Sequence, residues 1–463
     1  DHRESRGLGD VYKRQGRYCA RGFEQVEGVD YFETFSPVVM WSTVRLLLIM
    51  SILLNLDTTQ IDYTAAFVHA PIDCLVYVDM PPGFKIEGHV WRLNKSLYGL
   101  AQSPRNYFLY TKEKLLKMGF YQSDSDPCLF ISDDIICLIY VDDALLFHKN
   151  KLAMSALVGK MKIEGMLFRE EESVAGYLGV HIDRKDDGTI HLTQQGLAER
   201  IVESLHLTDK TITPVDTPCT KYLPIDSDGE PAHGEFSYAS VVGQLNYLQG
   251  HSRSDTTLAT SQVARFVHSP KRSHELALIR IGRYLKGTAD KGLILRPTDA
   301  ESLKVDIYVD AAFACGWGTE LGSNPDSVKS RTGYIIEIAN CPVLWVSKLQ
   351  STVATSTMES EYTALSMALR AAIPLLAVID SATKGLKFTK HKLLTFKATV
   401  HEDNQGALIL ANLEPGRHTP RSKFYALRLH WFRSWLIPKS IEIQFISTHF
   451  QKADYLTKPL NPV

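Results

Sequence analysis

The string Tyr140-Val141-Asp142-Asp143 sets two adjacent carboxylates at the tip of an apolar hairpin, with Ala144-Leu145-Leu146-Phe147 resuming the apolar pattern behind them. It reads as two short strands joined by a two-residue turn of aspartates. Upstream, another strand-like run ends in Gln60-Ile61-Asp62. A solvated turn has no need of so much negative charge between buried strands. A third aspartate arriving from a separate strand would complete a hard oxygen site for magnesium ions. Two such ions can hold the attacking and leaving oxygens of an in-line phosphoryl transfer. The pairs Asp133-Asp134 and Asp186-Asp187, the latter before Gly188, read instead as surface turn chemistry.

The aspartates do not stand alone. The chain carries Ala20-Arg21-Gly22-Phe23, Gly28-Val29-Asp30-Tyr31, Glu33-Thr34-Phe35-Ser36-Pro37-Val38-Val39, Pro81-Pro82-Gly83-Phe84, Leu97-Tyr98-Gly99-Leu100, Ser103-Pro104-Arg105, Tyr177-Leu178-Gly179 and Tyr284-Leu285-Lys286-Gly287-Thr288. In this order and spacing, over nearly the whole chain, they resemble the reverse transcriptases of copia-type retrotransposons. The resemblance implies that Asp62 and Asp142 are the main ligands of two metal ions, with Asp143 beside them. It implies that Phe67, five residues after Asp62, is an aromatic gate that leaves no room for a 2′-hydroxyl; a core aromatic is the plain alternative. Arg17 would grip the triphosphate, since a guanidinium suits phosphate oxygens. Tyr98 and Gly99 would line the nucleotide pocket, and Tyr177, Leu178 and Gly179 would hold the primer end, an ordinary strand being the alternative for that trio. The implied cofactor is Mg2+, two ions per active site, with Mn2+ as a substitute. The implied partners are an RNA template, a DNA or tRNA primer, an RNA–DNA hybrid and deoxynucleoside triphosphates, with no membrane.

Residues 1–15 share nothing with these motifs and resemble translated adapter sequence, so they are set aside. On the same reading the fingers are truncated at their start and the chain is a piece of a longer polyprotein. Departures from the family pattern occur at Lys423-Phe424-Tyr425-Ala426, at Tyr63-Thr64-Ala65 and at Ala101. None removes a metal ligand.

A length of 463 residues suffices for about three domains, each with its own core. Hydrophobic and charged contents of 44% and 22% are those of an ordinary globular protein. The longest apolar stretch, 46–54, is too short for a bilayer and reads as a buried helix. Seven scattered cysteines without Cys-x-x-Cys favour a reducing compartment and no structural zinc. The setting expected is cytoplasmic, in virus-like particles, and then nuclear.

The architecture expected is α/β and α+β multidomain. Reverse transcriptase fingers and palm occupy 16–212, a Pro-, Asp- and Gly-rich linker with a mainly helical thumb or connection 213–302, and a ribonuclease H-like mixed sheet 303–463. In that last segment strands are expected at 303–310, 333–338 and 343–347, then a helix over 357–373 ended by Pro374. A strand at 397–402, helices after Asn404 and near 424–436, and a strand at 440–447 complete it. Asp310, Glu361, Asp403 and Asp454 then fall at element ends or facing the sheet and resemble the four-carboxylate site of ribonucleases H, which binds two metals. Glu359 lies about 200° around the helix from Glu361, so only one can face the site, and Glu361 is chosen. Glu402 and Glu320 read as surface acids, and His449 as a surface histidine.

The net charge of −1 is unusual for a nucleic-acid enzyme. Basic residues concentrate in 253–296, where Arg280, Arg283 and Lys286 share one broad helix face. That face reads as a phosphate-tracking rail or as a solvated basic surface. The function expected is RNA-directed DNA polymerisation with ribonuclease H activity. The alternatives are an inactive relic that only binds nucleic acid and a nuclease-only fragment.

Overall fold

The protein is described by a computed structural model over residues 18–171, 174, 176–298, 303–317, 326–385, 396–414, 417 and 430–459. Arg17, Glu320, the segment 1–15 and the departure at 423–426 lie outside the described residues.

Helix α1 (Trp41–Leu53) is apolar on every side, and Val44 through Met50 are buried, so it is enclosed rather than amphipathic. Strand β1 (Asp57–Tyr63) follows, then the small pair β2 (Tyr77–Val78) and β3 (Trp91–Arg92). Helix α2 (Ser103–Lys117) leads into β4 (Tyr121–Gln122), β5 (Leu129–Ile131), β6 (Ile135–Tyr140) and β7 (Asp143–His148). After α3 (Lys151–Ile163) comes β8 (Phe168–Glu171), closing a six-stranded sheet in the order β4-β5-β6-β7-β1-β8. The order places β1 directly beside β7, which brings Asp62 opposite Asp143.

A second sheet has the order β12-β11-β10-β9, built from β9 (Gly176–Tyr177), β10 (Val180–Arg184), β11 (Ile190–Thr193) and β12 (Gly292–Leu295). Helices α4 (Gln195–Ser204), α5 (Tyr238–His251), α6 (Thr257–Val263) and α7 (Arg272–Thr288) form a separate apolar cluster around Ile201, Leu245 and Leu285. Between α4 and α5 the chain runs as a linker without helix or strand, as its composition predicts. The helical region is not a closed unit, because β12 returns to pair with β11.

The third sheet comprises β13 (Leu303–Ala312), β14 (Arg331–Ile338), β15 (Cys341–Leu349), β16 (Phe396–Glu402) and β17 (Ile441–Phe445), in the order β15-β14-β13-β16-β17. Its first three strands are antiparallel, whereas β13, β16 and β17 run parallel. Helix α8 (Thr357–Gly385) packs on β13 and β14. Pro374 does not end it; the helix runs on for eleven more residues. Proline removes one helical hydrogen bond, but Ile373, Leu375, Leu376 and Ile379 are all buried and hold the helix on the sheet across that gap. Among the described residues its Thr357–Thr383 stretch, not 46–54, is by length and composition apolar enough to span a membrane, yet most of that stretch is buried inside the protein. Helices α9 (Gln405–Ala411), α10 (Arg433–Leu436) and α11 (Asp454–Thr457) complete the described chain.

The first and third sheets share one continuous core, which runs from Leu46 to Val343 and Trp345. Arg45 lies at their junction, 2% exposed. Its guanidinium donates to the carbonyls of Val343 (2.8 Å), Gly250 (2.5 Å) and His251 (2.7 Å) and lies 4.1 Å over the Trp345 ring. Burial lowers its pKa to about 9.

Candidate active sites

In the first sheet the turn consists of Val141 and Asp142, not of the two aspartates; Asp143 is already the first residue of β7 and pairs with Tyr140. Val141 has φ 51, a left-handed conformation that a β-branched side chain seldom adopts. The Asp142 carbonyl accepts from the Tyr63 N–H at 2.7 Å, which pins the turn to the end of β1. Asp62 faces Asp143 across the ladder. Like charges at directly opposed positions repel, so this siting disfavours the fold unless a cation is bound. Burial, then the charge of Asp142, raises the Asp143 pKa to about 6, with Asp62 and Glu171 adding to the shift and a hydrogen bond from Gln60 opposing it. The oxygen-only donor set suits Mg2+ or Mn2+.

Phe67 stands in a 3-10 turn after Ala65, with its ring centroid 4.7 Å from that of Tyr98 and 6.0 Å from that of Tyr107. It is half-buried, neither a pure core residue nor a free one. Gly99 has φ +94, and a Cβ there would lie 2.1 Å from the Ala20 carbonyl oxygen, so glycine alone lets the 20–22 segment dock beside Tyr98. Tyr177 is buried, and Leu178 and Gly179 form a two-residue turn with φ 50 and 71. Burial, then the nearby Asp143 charge, pushes the Tyr177 phenol up. The Tyr247 hydroxyl on α5 donates to the Leu178 carbonyl, a contact with no signal in the sequence.

The basic face of α7 has other partners than those expected. Arg280 donates to the Thr217 hydroxyl (3.0 Å), Arg283 to the Thr213 carbonyl (2.8 Å) and Lys286 to the Asp209 carbonyl. The linker has no ladder of its own, so its carbonyl and hydroxyl oxygens take donors from the helix beside it. The expected phosphate rail is thus engaged by the protein's own chain.

In the third sheet Asp310 on β13, Glu361 on α8 and Asp403 after β16 bring carboxylate oxygens within 4.8 Å of one another. Glu361 Oε2 is buried without a hydrogen-bond partner, as a ligand awaiting a cation would be. Three hard oxygen donors at this spacing fit a magnesium or manganese ion. Glu359 instead turns back to accept from the Thr355 N–H (2.8 Å) and hydroxyl (2.7 Å), so the choice of Glu361 stands. Asp454 does not join the trio; Lys458 links it to Asp310, its Nζ lying 2.8 Å from Asp454 and 3.3 Å from Asp310. Asp310 also accepts from the buried Thr457 hydroxyl. Burial raises the Asp310 pKa against the opposing pull of Thr457 and Lys458.

Glu402 is not a surface acid. It is fully buried at the end of β16, and its Oε1 accepts from the Asn404 N–H at 3.1 Å. Burial raises the pKa of both Glu361 and Glu402; the Glu402 charge adds to it at Glu361, whereas at Glu402 the Asn404 N–H opposes it and the Asp403 charge adds to it. Strand alternation in Glu402-Asp403 was the available signal, because adjacent acids leave a strand on opposite sides. Lys458 was legible as the i+4 neighbour of Asp454. His449 is exposed, as expected; next to it the Thr448 hydroxyl donates to Asp403 at 2.8 Å.

Residues 3–221 match the family described as reverse transcriptase (RNA-dependent DNA polymerase), a span that takes in most of the segment set aside as adapter. The chain is 31% identical over 464 residues to the retrovirus-related Pol polyprotein from transposon TNT 1-94 of Nicotiana tabacum, covering 97% of this chain and 33% of that protein. It is 30% identical over 461 residues to the Pol polyprotein from transposon RE1 of Arabidopsis thaliana, covering 98% and 30%. The chain therefore spans about a third of the length of the curated relatives it matches. Among solved structures, it is similar to a foamy viral protease-reverse transcriptase in complex with double-stranded DNA, with a TM-score of 0.46, 14% identity, and coverage of 86% of this chain and 59% of that one. It is also similar to an N-terminal RNase H domain from Mycobacterium tuberculosis, with a TM-score of 0.22, 19% identity, and coverage of 34% and 91%.

Proposed function

The chain belongs, through residues 3–221, to the reverse transcriptase family in its copia-type transposon Pol branch, and on that premise we propose that it performs two phosphoryl-transfer reactions. It extends a DNA or tRNA primer with deoxynucleotides along an RNA template at Asp62, Asp142 and Asp143. It cuts the RNA of the resulting hybrid at Asp310, Glu361 and Asp403, with Asp454 beside them across Lys458. The observation that carries this reading is the presence of two separate carboxylate clusters, one at the β1–β7 ladder end and one at the β13–β16 end.

On this reading the first sheet is a polymerase palm with fingers before it, residues 213–302 a thumb or connection, and the third sheet a ribonuclease H-like domain. Mg2+, or Mn2+ in its place, two per site, would supply Lewis-acid activation of the attacking oxygen and neutralise developing charge. Asp62 and Asp142 would hold it in the palm, and Asp310, Glu361 and Asp403 in the nuclease. Phe67, set by Tyr98 and Tyr107, walls the sugar and excludes a 2′-hydroxyl. The Leu178-Gly179 turn orients the primer end beside Asp143. The reaction runs in the cytoplasm and then the nucleus, a setting compatible with seven free cysteines.

Nuclease activity alone is the second reading. Among the described residues the nuclease trio, and no palm group, brings three ligand atoms within 4.8 Å. Primer extension on an RNA template with magnesium separates the two. Extended products support the full reading, and hybrid cleavage without extension leaves the nuclease alone.

A further inference from the structure

Beyond β17 the chain passes the carboxylate site in a single 3-10 turn, Thr448–Phe450, that is tied to the site at both ends. The Thr448 hydroxyl donates to Asp403 Oδ2 at 2.8 Å. Gln451, buried, donates through Nε2 to the carbonyls of Val309 at 2.8 Å and His401 at 3.3 Å, the residues just before Asp310 and Glu402. Ahead of the turn, the Ile446 N–H donates to the Glu402 carbonyl at 3.1 Å. These bonds hold the segment in place before any ligand arrives.

The aromatic side chains of this anchored segment nevertheless face water. Phe450 is 73% exposed, and Phe445, opposite Glu402 in the β16–β17 register, is 53% exposed. Along the chain they stand on either side of the Thr448–Asp403 bond, on the rim of the site. The geometry of a hybrid decides what such rings can take. A base inside a duplex is already stacked on its neighbours, so its face is not free. The sugars are accessible, because an A-form strand displays its riboses along a wide, shallow minor groove. A ribose can turn its C–H groups to a ring and keep its hydroxyls in water, which removes apolar surface of both partners from solvent. A strand whose phosphate sits on Asp310, Glu361 and Asp403 brings its neighbouring sugars to this rim.

We propose that Phe450, with Phe445 beside it, packs against the riboses of the RNA strand that flank the phosphate being cut, and so fixes where along the strand the cut falls. The inference rests on the nuclease reading of the site. The carboxylates supply the charge, and the rings hold the register of the strand above them.

The test uses the full chain and a duplex in which one strand is DNA with a short block of ribonucleotides, so that the point of cleavage is known. With the photoreactive ring of p-benzoylphenylalanine in place of Phe450, illumination should attach the chain to the ribonucleotides that flank the cut. Attachment to the opposite strand, or nowhere along the duplex, overturns the proposal. On a continuous RNA–DNA hybrid, Phe450→Ala should lower kcat/KM for cleavage roughly tenfold and spread the cuts over neighbouring phosphates. Phe450→Tyr, which keeps the ring, should recover most of that loss. The side chain is exposed, so an unchanged thermal midpoint for Phe450→Ala shows that the loss is not misfolding. Cleavage by Phe450→Ala with parental kcat/KM at the parental positions overturns the proposal. Failure of the nuclease reading looks different: the parent itself then leaves the hybrid uncut with magnesium or manganese, and both readings fall together.

Discussion

Asp142 and Glu402 mark the two ends of what single residues disclose. Asp142 was legible because a carboxylate pair among buried apolar residues has few structural uses, and the ladder places its neighbour Asp143 against Asp62. Which residue takes the turn was not legible, since the left-handed φ of Val141 runs against its β-branched preference. Glu402 was misread because its burial at the end of β16, close to Glu361 on α8, is set by contacts across the fold. Its raised pKa has a consequence for stability. Above the ordinary value of 4.5 the unfolded chain releases this proton while the folded protein retains it. The folded state then binds more protons, and stability falls as pH rises through that window. Glu402→Gln should therefore unfold at higher temperature than the parent in metal-free, slightly alkaline buffer, with the gap closing toward pH 4.5. A gap that is constant with pH contradicts the assignment. At Phe67, replacement by Ala should raise ribonucleotide over deoxynucleotide incorporation by one or two orders of magnitude, as relief of a clash would. Unchanged selectivity in a competition assay, with polymerisation preserved, returns Phe67 to the core.

Helices and strands were more legible than their ends and faces. The apolar run of α1, the β6–β7 hairpin and the strand–strand–strand–helix–strand order of the last domain follow from periodicity and turn residues. Pro374 failed as a stop signal because tertiary burial on both sides outweighs one lost hydrogen bond. The α7 face is a different case. Its charges were counted correctly, but a linker without regular structure contributes no periodic signal to say that it lies alongside. Arg283→Ala should loosen that linker at a cost of about 1 kcal/mol, read as a lower urea midpoint. It should leave the salt dependence of nucleic-acid binding unchanged. A phosphate contact would instead lower the slope of log K against log salt by about one, and that result would restore the rail.

Across the whole molecule the sequence suggested three domains in series, and the structure joins them more closely. β12 crosses from the helical region to the second sheet, and one core spans the first and third sheets. Arg45 was invisible as a junction, because its three carbonyl acceptors come from residues about 200 and 300 positions away. Arg45→Ala would leave those carbonyls without their donor in a buried setting, at a cost of about 3 kcal/mol. Urea unfolding at the parental midpoint would show that the junction contributes nothing. The central claim is that two independent carboxylate sites act within this one chain, and crossed substitutions measure it. With magnesium, primer extension on an RNA template and cleavage of an RNA–DNA hybrid are followed for the parent, Asp142→Asn and Asp403→Asn. Asp142→Asn should lose extension by roughly a thousandfold while still cutting hybrid, and Asp403→Asn should do the reverse. Loss of both activities in either variant, or parental extension by Asp142→Asn, would contradict the account.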